Sequence, residues 1–277
     1  MSAAGTLAPI RTVLIGANGR MGLNILRLLP HFPALQLCGA VASESSTAIG
    51  EDALERVGAP SGGVKLSAAL PPLLRDADLA IDFSSARAAA ANLAACVAAR
   101  VPLLLGTTGL PRELQAPLAA AAHSIALLVA PNTSPGLNLL LDLVRTAARA
   151  LPLGYDIEIL ETHHRDKADA PSGTALALGQ AAAQGRGVVL DEQAIYARQG
   201  ATGARAAGQI GFAAVRGGDV VGEHEVMFLG DGERLVLRHG VTDRSVFARG
   251  ALIAGQWLAR KPPGRYGMSD VFFSENN

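Results

Sequence analysis

The sequence predicts an α/β chain of two domains: a doubly wound parallel sheet, then an α+β domain with a mixed sheet. Three observations predict it. Short unbroken apolar runs alternate with helical stretches through the first half, the pattern of a parallel sheet covered on both faces. A glycine-rich turn follows the first run and opens a helix. Beyond Pro131 the pattern changes to half-buried strands, with Asp156, Ile157, Glu158 and Ile159 alternating charged and apolar.

In order, residues 12–15 form the first apolar run, stopping at Gly16, and a helical pattern over 21–29 is closed by Pro30. Further runs cover 35–41, 79–83, 102–105 and 125–129. The alanine-rich stretch 86–100 is helical by propensity, and a helix is expected to start near Pro111, where proline is tolerated. In the second half, 155–161, 220–229 and 234–239 read as strands, the last two joined by the hairpin signal Gly230-Asp231-Gly232. The stretch 245–259 is apolar around most of its circumference, which predicts a buried helix.

A chain of 277 residues is long for one core and comfortable for two. Lys+Arg and Asp+Glu each count 24, so no overall basic field draws in nucleic acid or an anionic membrane; a small anionic ligand needs a local cluster of donors instead. The first residues lack a basic n-region and a long apolar h-region, so no signal peptide is expected. No apolar stretch is long enough to span a bilayer. Cys38 and Cys96 each lie in an apolar run and are expected to be buried, reduced thiols of a cytoplasmic protein.

The turn Gly16-Ala17-Asn18-Gly19-Arg20-Met21-Gly22 has a G-x-x-G-x-x-G spacing. Glycine permits a tight turn and close approach of backbone to a pyrophosphate, and the helix start that follows offers free amides and a positive dipole end. This makes the first domain a candidate Rossmann-type dinucleotide site. Such a site expects an acidic residue about 20 residues on, to hold the adenosine ribose. Here the positions read Ala42-Ser43-Glu44-Ser45-Ser46. Glu44 can serve if the loop bends; the serines can bond a 2′-phosphate, although no arginine stands beside them. The cofactor is therefore NADH or NADPH.

The segment from Glu161 to Thr174 carries the most chemistry: Glu161-Thr162-His163-His164-Arg165-Asp166-Lys167-Ala168-Asp169-Ala170-Pro171-Ser172-Gly173-Thr174. Two histidines and two cations cluster just beyond a strand, which suits an anionic substrate. Ser172 is a plausible helix N-cap. The amides of Gly173 and Thr174, with the Thr174 hydroxyl, then form a carboxylate cradle. His163 or Lys167 can shuttle a proton. Taken by itself the cluster also admits a structural, solvent-facing role, or a metal site; against the latter, no cysteine or third histidine lies at ligand spacing, and His224 and His239 are remote in sequence.

The segment resembles the H-H-x-x-K-x-D-A-P-S-G-T-A signature of the 4-hydroxy-tetrahydrodipicolinate (dihydrodipicolinate) reductase family. Gly19-Arg20-Met21-Gly22, Gly106-Thr107-Thr108-Gly109, residues 132–138, Gly222-Glu223-His224, and Arg244 with Phe247-Ala248 resemble its other landmarks, in order, over essentially the whole chain. The resemblance implies a Rossmann domain of residues 1–130 and 245–277, with the final helix returning to it, and a substrate-binding and tetramerisation domain of residues 131–244. It implies that Gly16, Ala17, Asn18, Gly19, Arg20 and Met21 wrap the cofactor pyrophosphate. Gly106, Thr107 and Thr108 then sit beside the nicotinamide ribose, and Ala130, Pro131, Asn132 and Thr133 line the nicotinamide pocket. His163 and Lys167 are implied as acid/base residues, with His164, Gly173 and Thr174 binding the carboxylates of a small cyclic dicarboxylate. The implied reaction is NAD(P)H-dependent reduction at ring carbon 4, with loss of the 4-hydroxyl as water, on the lysine/diaminopimelate route, in a homotetramer.

Some positions depart from the family pattern. Ala42 and Ser43 stand where members carry the acidic and basic residues that select the cofactor, Thr133 replaces a common phenylalanine, Pro135 adds stiffness, and Ser85 replaces an arginine of some members. The rival readings are another two-domain NAD(P)-dependent reductase, a nucleotide sensor without turnover, and a metal-dependent hydrolase.

Overall fold

The computed structural model describes residues 8–273. Its chain divides into two compact units, Met1–Ser134 with Ser245–Asn277, and Pro135–Arg244.

The first unit begins β1 (Ile10–Ile15), α1 (Arg20–Leu28), β2 (Leu35–Val41), β3 (Leu66–Ser67), β4 (Leu79–Asp82), α2 (Ala86–Ala99), β5 (Leu103–Leu105), α3 (Gln115–Ala121) and β6 (Ala126–Val129). The second unit follows with α4 (Pro135–Ala150), β7 (Asp156–His163), α5 (Gly173–Arg186), α6 (Leu190–Gln193), β8 (Ala194–Ile195), β9 (Ile210–Arg216), β10 (Gly222–Gly230) and β11 (Glu233–Val241). The chain returns to the first unit as α7 (Ser245–Leu258), β12 (Gly264–Tyr266) and α8 (Met268–Phe273).

The first sheet runs β12-β6-β5-β4-β1-β2-β3, every pair parallel. Its strands alternate between two cores. Leu14, Leu79, Ile81, Leu104 and Leu128 face α1 and α7. Val13, Ala80, Leu103, Leu105 and Leu127 face α2 and α3. Burial on both sides is why these strands read as unbroken apolar runs. The apolar α7 contributes Ala248, Ala251, Leu252, Ala254 and Leu258 to the first core. The helix expected near Pro111 instead begins at Gln115, because residues 112–114 form a 3₁₀ turn first. Cys96 is a core thiol whose pKa burial pushes up to about 12, whereas Cys38 is only half-buried. The expectation of two buried thiols is corrected there: the residues on β2 around Cys38 pack at the margin of the core.

The second sheet runs β11-β10-β7-β9-β8; β10 is antiparallel to β7 and β11, while β9 is parallel to β7 and β8. Strict alternation along β7 sends Ile157 and Ile159 into a core shared with Leu137, Leu140 and Val144 of α4 and Leu178 and Ala182 of α5. Glu161 and His163 continue that inward face past the end of the apolar core. The strand β9, read as no element in the sequence, buries only Ile210, Gly211 and Phe212; its last four residues lack alternation.

The helices α4 and α5 approach with almost no space at Gly185, where a Cβ would lie 2.4 Å from the Arg145 carbonyl oxygen and 2.7 Å from the Ala148 Cβ. Gly185→Ala should therefore lower the urea unfolding midpoint, because overpacking of about 1–3 kcal/mol outweighs a helix-propensity gain of up to about 1 kcal/mol. An unchanged or higher midpoint would show that the two helices separate at no cost.

Candidate active site

In the first unit the chain leaves β1 and turns at Gly16, whose φ of +82° favours glycine; a Cβ there would lie 2.6 Å from the Phe83 carbonyl oxygen. A Cβ on Gly22 would come within 2.2 Å of the Gly16 oxygen, so α1 packs directly against the turn. Gly16 and Ala17 donate their amides to the Val41 carbonyl, at 2.9 and 2.8 Å. They shape the turn, and the open donors belong to the next residues. Gly19 caps α1 without a side-chain bond, and the first turn carries no acidic side chain. The amides of that turn have no intrahelical acceptor, and the dipole there favours an anion.

Two cavities flank this helix start. One, of about 660 Å³, is lined by Gly16, Asn18, Ser43, Glu44, Ser46 and Arg87 among others. It opens at the C-terminal ends of β1 and β4, where the strand order reverses, the position at which doubly wound sheets bind nucleotides. The other, of about 490 Å³, is lined by Gly19, Arg20, Met21, Gly106, Thr107 and Thr108, and further by Pro131, Asn132 and Thr133. Ala17 and Ala130 are buried and line neither cavity. Asp82, fully buried, accepts from the Ser84 amide at 2.8 Å, the Asn92 amide group at 2.9 Å and the Thr107 hydroxyl at 3.5 Å, and so ties the walls of both cavities to β4. Burial holds its carboxyl above the usual range. A Cβ on Gly106 would meet the Phe83 ring at 2.2 Å. The glycine cradle, the free helix start and two adjoining cavities fit a dinucleotide.

In the second unit one network of acidic and basic groups forms around Glu161, whose carboxylate is 1% exposed. Its Oε2 meets His163 Nδ1 at 2.6 Å. Arg216 grips both oxygens at 2.7 Å, and the Ser172 amide donates to Oε1 at 3.1 Å. Burial pushes the Glu161 pKa up, but the bonds from Arg216 and His163 overcome it, and the carboxyl titrates below its ordinary value. A carboxylate only accepts, so the proton between the pair sits on His163 Nδ1 and leaves Nε2 as the working nitrogen. Burial pulls the His163 pKa below its ordinary value against the pull of Glu161, so the free ring is neutral at pH 7. Gly222 gives Nε2 its room: a Cβ there would lie 3.0 Å from it.

Ser172 caps α5, its hydroxyl accepting from the Ala175 amide at 3.1 Å. The same oxygen lies 2.9 Å from His224 Nε2. Burial lowers the His224 pKa to about 4, so this ring is neutral and takes the hydroxyl proton. Its ring stands edge-on to His163, centroids 5.1 Å apart. With Ala175 capped, the amides of Gly173 and Thr174 begin α5, and a Cβ on Gly173 would meet nothing within 4 Å. Lys167 Nζ is held by Asp169 at 2.8 and 2.9 Å, which keeps the Asp169 carboxyl below its usual range. His164 lies 3.5 Å from Arg244 and shares an open depression with Arg165, Asp166, Asp219 and Arg244.

The network thus joins His163, Ser172 and the start of α5, with Lys167 tied to it by its carbonyl, which accepts from Arg216 at 3.3 Å. It also contains three residues without an assigned role in the sequence reading: Glu161, Arg216 and His224. The strand read as ending at residue 161 runs on through His163, so Glu161, two residues before His163, lies on the same face. Arg216 stands opposite His163, and His224 opposite Glu161, only through the pairing of β9 and β10 with β7. Among the described residues, no group of three or more His, Cys, Asp or Glu side chains is arranged to hold a metal ion.

Residues 10–133 match the family described as dihydrodipicolinate reductase, N-terminus, and residues 136–272 match its C-terminus. The chain belongs to this family. The chain is 46% identical over 261 residues to the 4-hydroxy-tetrahydrodipicolinate reductase of Anaeromyxobacter dehalogenans strain 2CP-1, covering 94% of this chain and 97% of the relative. It is 45% identical to the enzyme of that name from Rhodopseudomonas palustris strain BisB18, covering 96% and 98%. Among solved structures, dipicolinate-bound dihydrodipicolinate reductase from Paenisporosarcina sp. TG-14 superposes with a TM-score of 0.75 at 23% identity, covering 94% and 97%. An amine dehydrogenase from Mycobacterium smegmatis shares the fold with a TM-score of 0.59 at 16% identity. No described helix is long and apolar enough to cross a membrane.

The first cavity carries both a carboxylate, Glu44, suited to a ribose 2′-hydroxyl, and a cation, Arg87, suited to a 2′-phosphate. Arg87→Ala should weaken NADPH binding roughly 10- to 100-fold more than NADH binding, the scale of one charged hydrogen bond. Glu44→Gln should weaken NADH more. Fluorescence titration with each reduced nucleotide reads both, and an unchanged NADPH/NADH ratio in either variant would place cofactor selection elsewhere.

Proposed function

We propose that this protein reduces 4-hydroxy-tetrahydrodipicolinate to tetrahydrodipicolinate, with loss of water, on the lysine/diaminopimelate route. The observation that carries the reading is a buffered imidazole, His163, beside a free helix start at Gly173 and Thr174: a proton donor next to a carboxylate cradle. The family membership and the nucleotide cradle of the first unit supply the other half of the argument.

A bound dihydronicotinamide supplies the hydride for ring carbon 4 of the substrate. Gly19, Arg20 and Met21 would hold the cofactor pyrophosphate at the start of α1, with Gly16, Ala17 and Asn18 forming the turn. Gly106, Thr107, Thr108, Pro131, Asn132 and Thr133 wall the second cavity, where the nicotinamide end belongs, and Ala130 backs it. In the second unit, Gly173 and Thr174 take one substrate carboxylate on backbone amides and the Thr174 hydroxyl. His164, with Arg244 beside it, takes the other. Lys167 offsets negative charge and is the alternative proton donor. His163 Nε2 delivers the proton that the reduced ring requires. Two arriving carboxylates favour the imidazolium, so the ring is neutral in the free enzyme and charged when substrate is bound.

The protein is proposed to be cytoplasmic and a homotetramer. Supporting assembly, α4 and α5 pack on one face of the mixed sheet, and the opposite face presents half-buried Leu160 and Met227 with exposed Val215 and Val236. Light scattering should return the mass of four chains; a monomer would remove this part of the proposal.

The first assay generates substrate from aspartate semialdehyde and pyruvate with its synthase, then follows nicotinamide absorbance with each cofactor. Substrate-dependent oxidation is expected; cofactor binding without it would point to a nucleotide sensor. His163→Ala should lower kcat by roughly 10²–10⁴, and a near-normal kcat would move the donor role to Lys167. Thr174→Val should mainly raise KM. Since the protonated His163 is the active form and its free-enzyme pKa lies below the ordinary value, kcat/KM should fall as pH rises through that lowered pKa, and kcat should fall only at higher pH. Profiles that stay flat into the alkaline range would exclude His163 as the donor.

A further inference from the structure

We infer that Glu161 is a positioning residue with two tasks: it holds His163 in the Nδ1–H tautomer, and it anchors the start of α5 that forms the carboxylate cradle. The inference rests on the reading of His163 as the proton donor. The two carboxylate oxygens divide the work. Oε2 receives His163 Nδ1 at 2.6 Å, and Oε1 receives the Ser172 amide at 3.1 Å. Arg216 spans both oxygens and, through its other bonds, takes the carbonyls of Lys167 at 3.3 Å and Asp169 at 2.7 Å. The loop between proton donor and cradle is therefore strapped to one buried ion pair at both ends. The groups facing His163 are Glu161 on its own strand, Arg216 on β9, His224 and Gly222 on β10, and Lys167 on the loop. Among these Glu161 is the carboxylate, so it alone can fix which ring nitrogen carries the proton.

The shape of the site makes that choice consequential. His163 Nε2 is the nitrogen facing the gap left by Gly222, where a Cβ would lie 3.0 Å away. A neutral ring with its proton on Nε2 presents the wrong face for picking up the next proton, and loss of tautomer control in a comparable Asp–His pair costs up to about 10⁴ in kcat.

Glu161→Gln keeps the shape and removes the charge. Its amide group can turn toward His163 Nδ1 and place the ring proton on Nε2. In the wild type, ¹⁵N spectra should show neutral His163 protonated at Nδ1; in Glu161→Gln the proton should move to Nε2. The variant's kcat should drop at least tenfold in the wild-type background and not at all further in a His163→Ala background. Inhibition by pyridine-2,6-dicarboxylate, a planar probe of the cradle, should weaken in both backgrounds, because the Ser172 anchor does not pass through His163. An equal kcat loss in both backgrounds, with His163→Ala itself impaired, would overturn the tautomer role while leaving His163 as donor. A near-normal His163→Ala would overturn both. Should Glu161→Gln not fold, the wild-type spectrum decides alone: a neutral ring protonated at Nε2 overturns the inference.

Discussion

An ionised carboxylate taken out of water costs several kcal/mol unless every lone pair meets a donor. Glu161 meets that condition with an imidazole from its own strand, a guanidinium from β9 and an amide from the start of α5. Much of the second unit's site follows from this demand. The strand β7 must end beside β9, the loop from His164 to Pro171 must fold back over Arg216, and α5 must begin where Ser172 reaches Oε1. The same demand makes the network electrostatically stiff. Glu161 remains a carboxylate because Arg216 lies across it, and His224 remains neutral because it is buried beside other groups that take up positive charge.

The first unit solves a different problem, offering an anion site without a charged side chain at its centre. Its anion site is built from backbone: a turn whose glycines allow close approach and a helix start with no competing acid or cap. Among the described residues of this unit, Asp82 is the one carboxyl drawn into the interior, and it serves neighbouring walls as an acceptor. One unit thus carries a permanent dipole suited to phosphates, and the other a titratable group suited to a proton.

The parts legible in the sequence share a physical character. Strands buried on both faces show as unbroken apolar runs, so β2 was read from Leu35 to Val41 as it stands. The Ser172 cap was legible because capping is a local choice of side chain before a helix. The turn before α1 and the start of α5 were legible as motifs because their residues are contiguous. What escaped depends on pairing between distant segments. Nothing near Arg216 in sequence announces a role; it acquires one by standing opposite His163. His224 is likewise brought opposite Glu161 by an antiparallel register. The strand β9 itself escaped because Gly211 interrupts it and its second half is exposed. At Gly211 the missing side chain leaves room for the Glu158 carboxylate, which a Cβ would meet at 2.0 Å.

The pairing of β9 with β7 also bears on how faithfully the chain finds its fold. Side chains alternate along a strand, so a slip of one residue would exchange Arg216 for Val215 opposite His163 and turn the guanidinium to the other face. Glu161 would then keep His163 and the Ser172 amide but lose its guanidinium, leaving a buried carboxylate without its charge partner at a cost of about 3–5 kcal/mol. The ion pair at the heart of the site therefore also favours one register of β9 on β7 over its one-residue neighbours, a service to the sheet that needs no ligand.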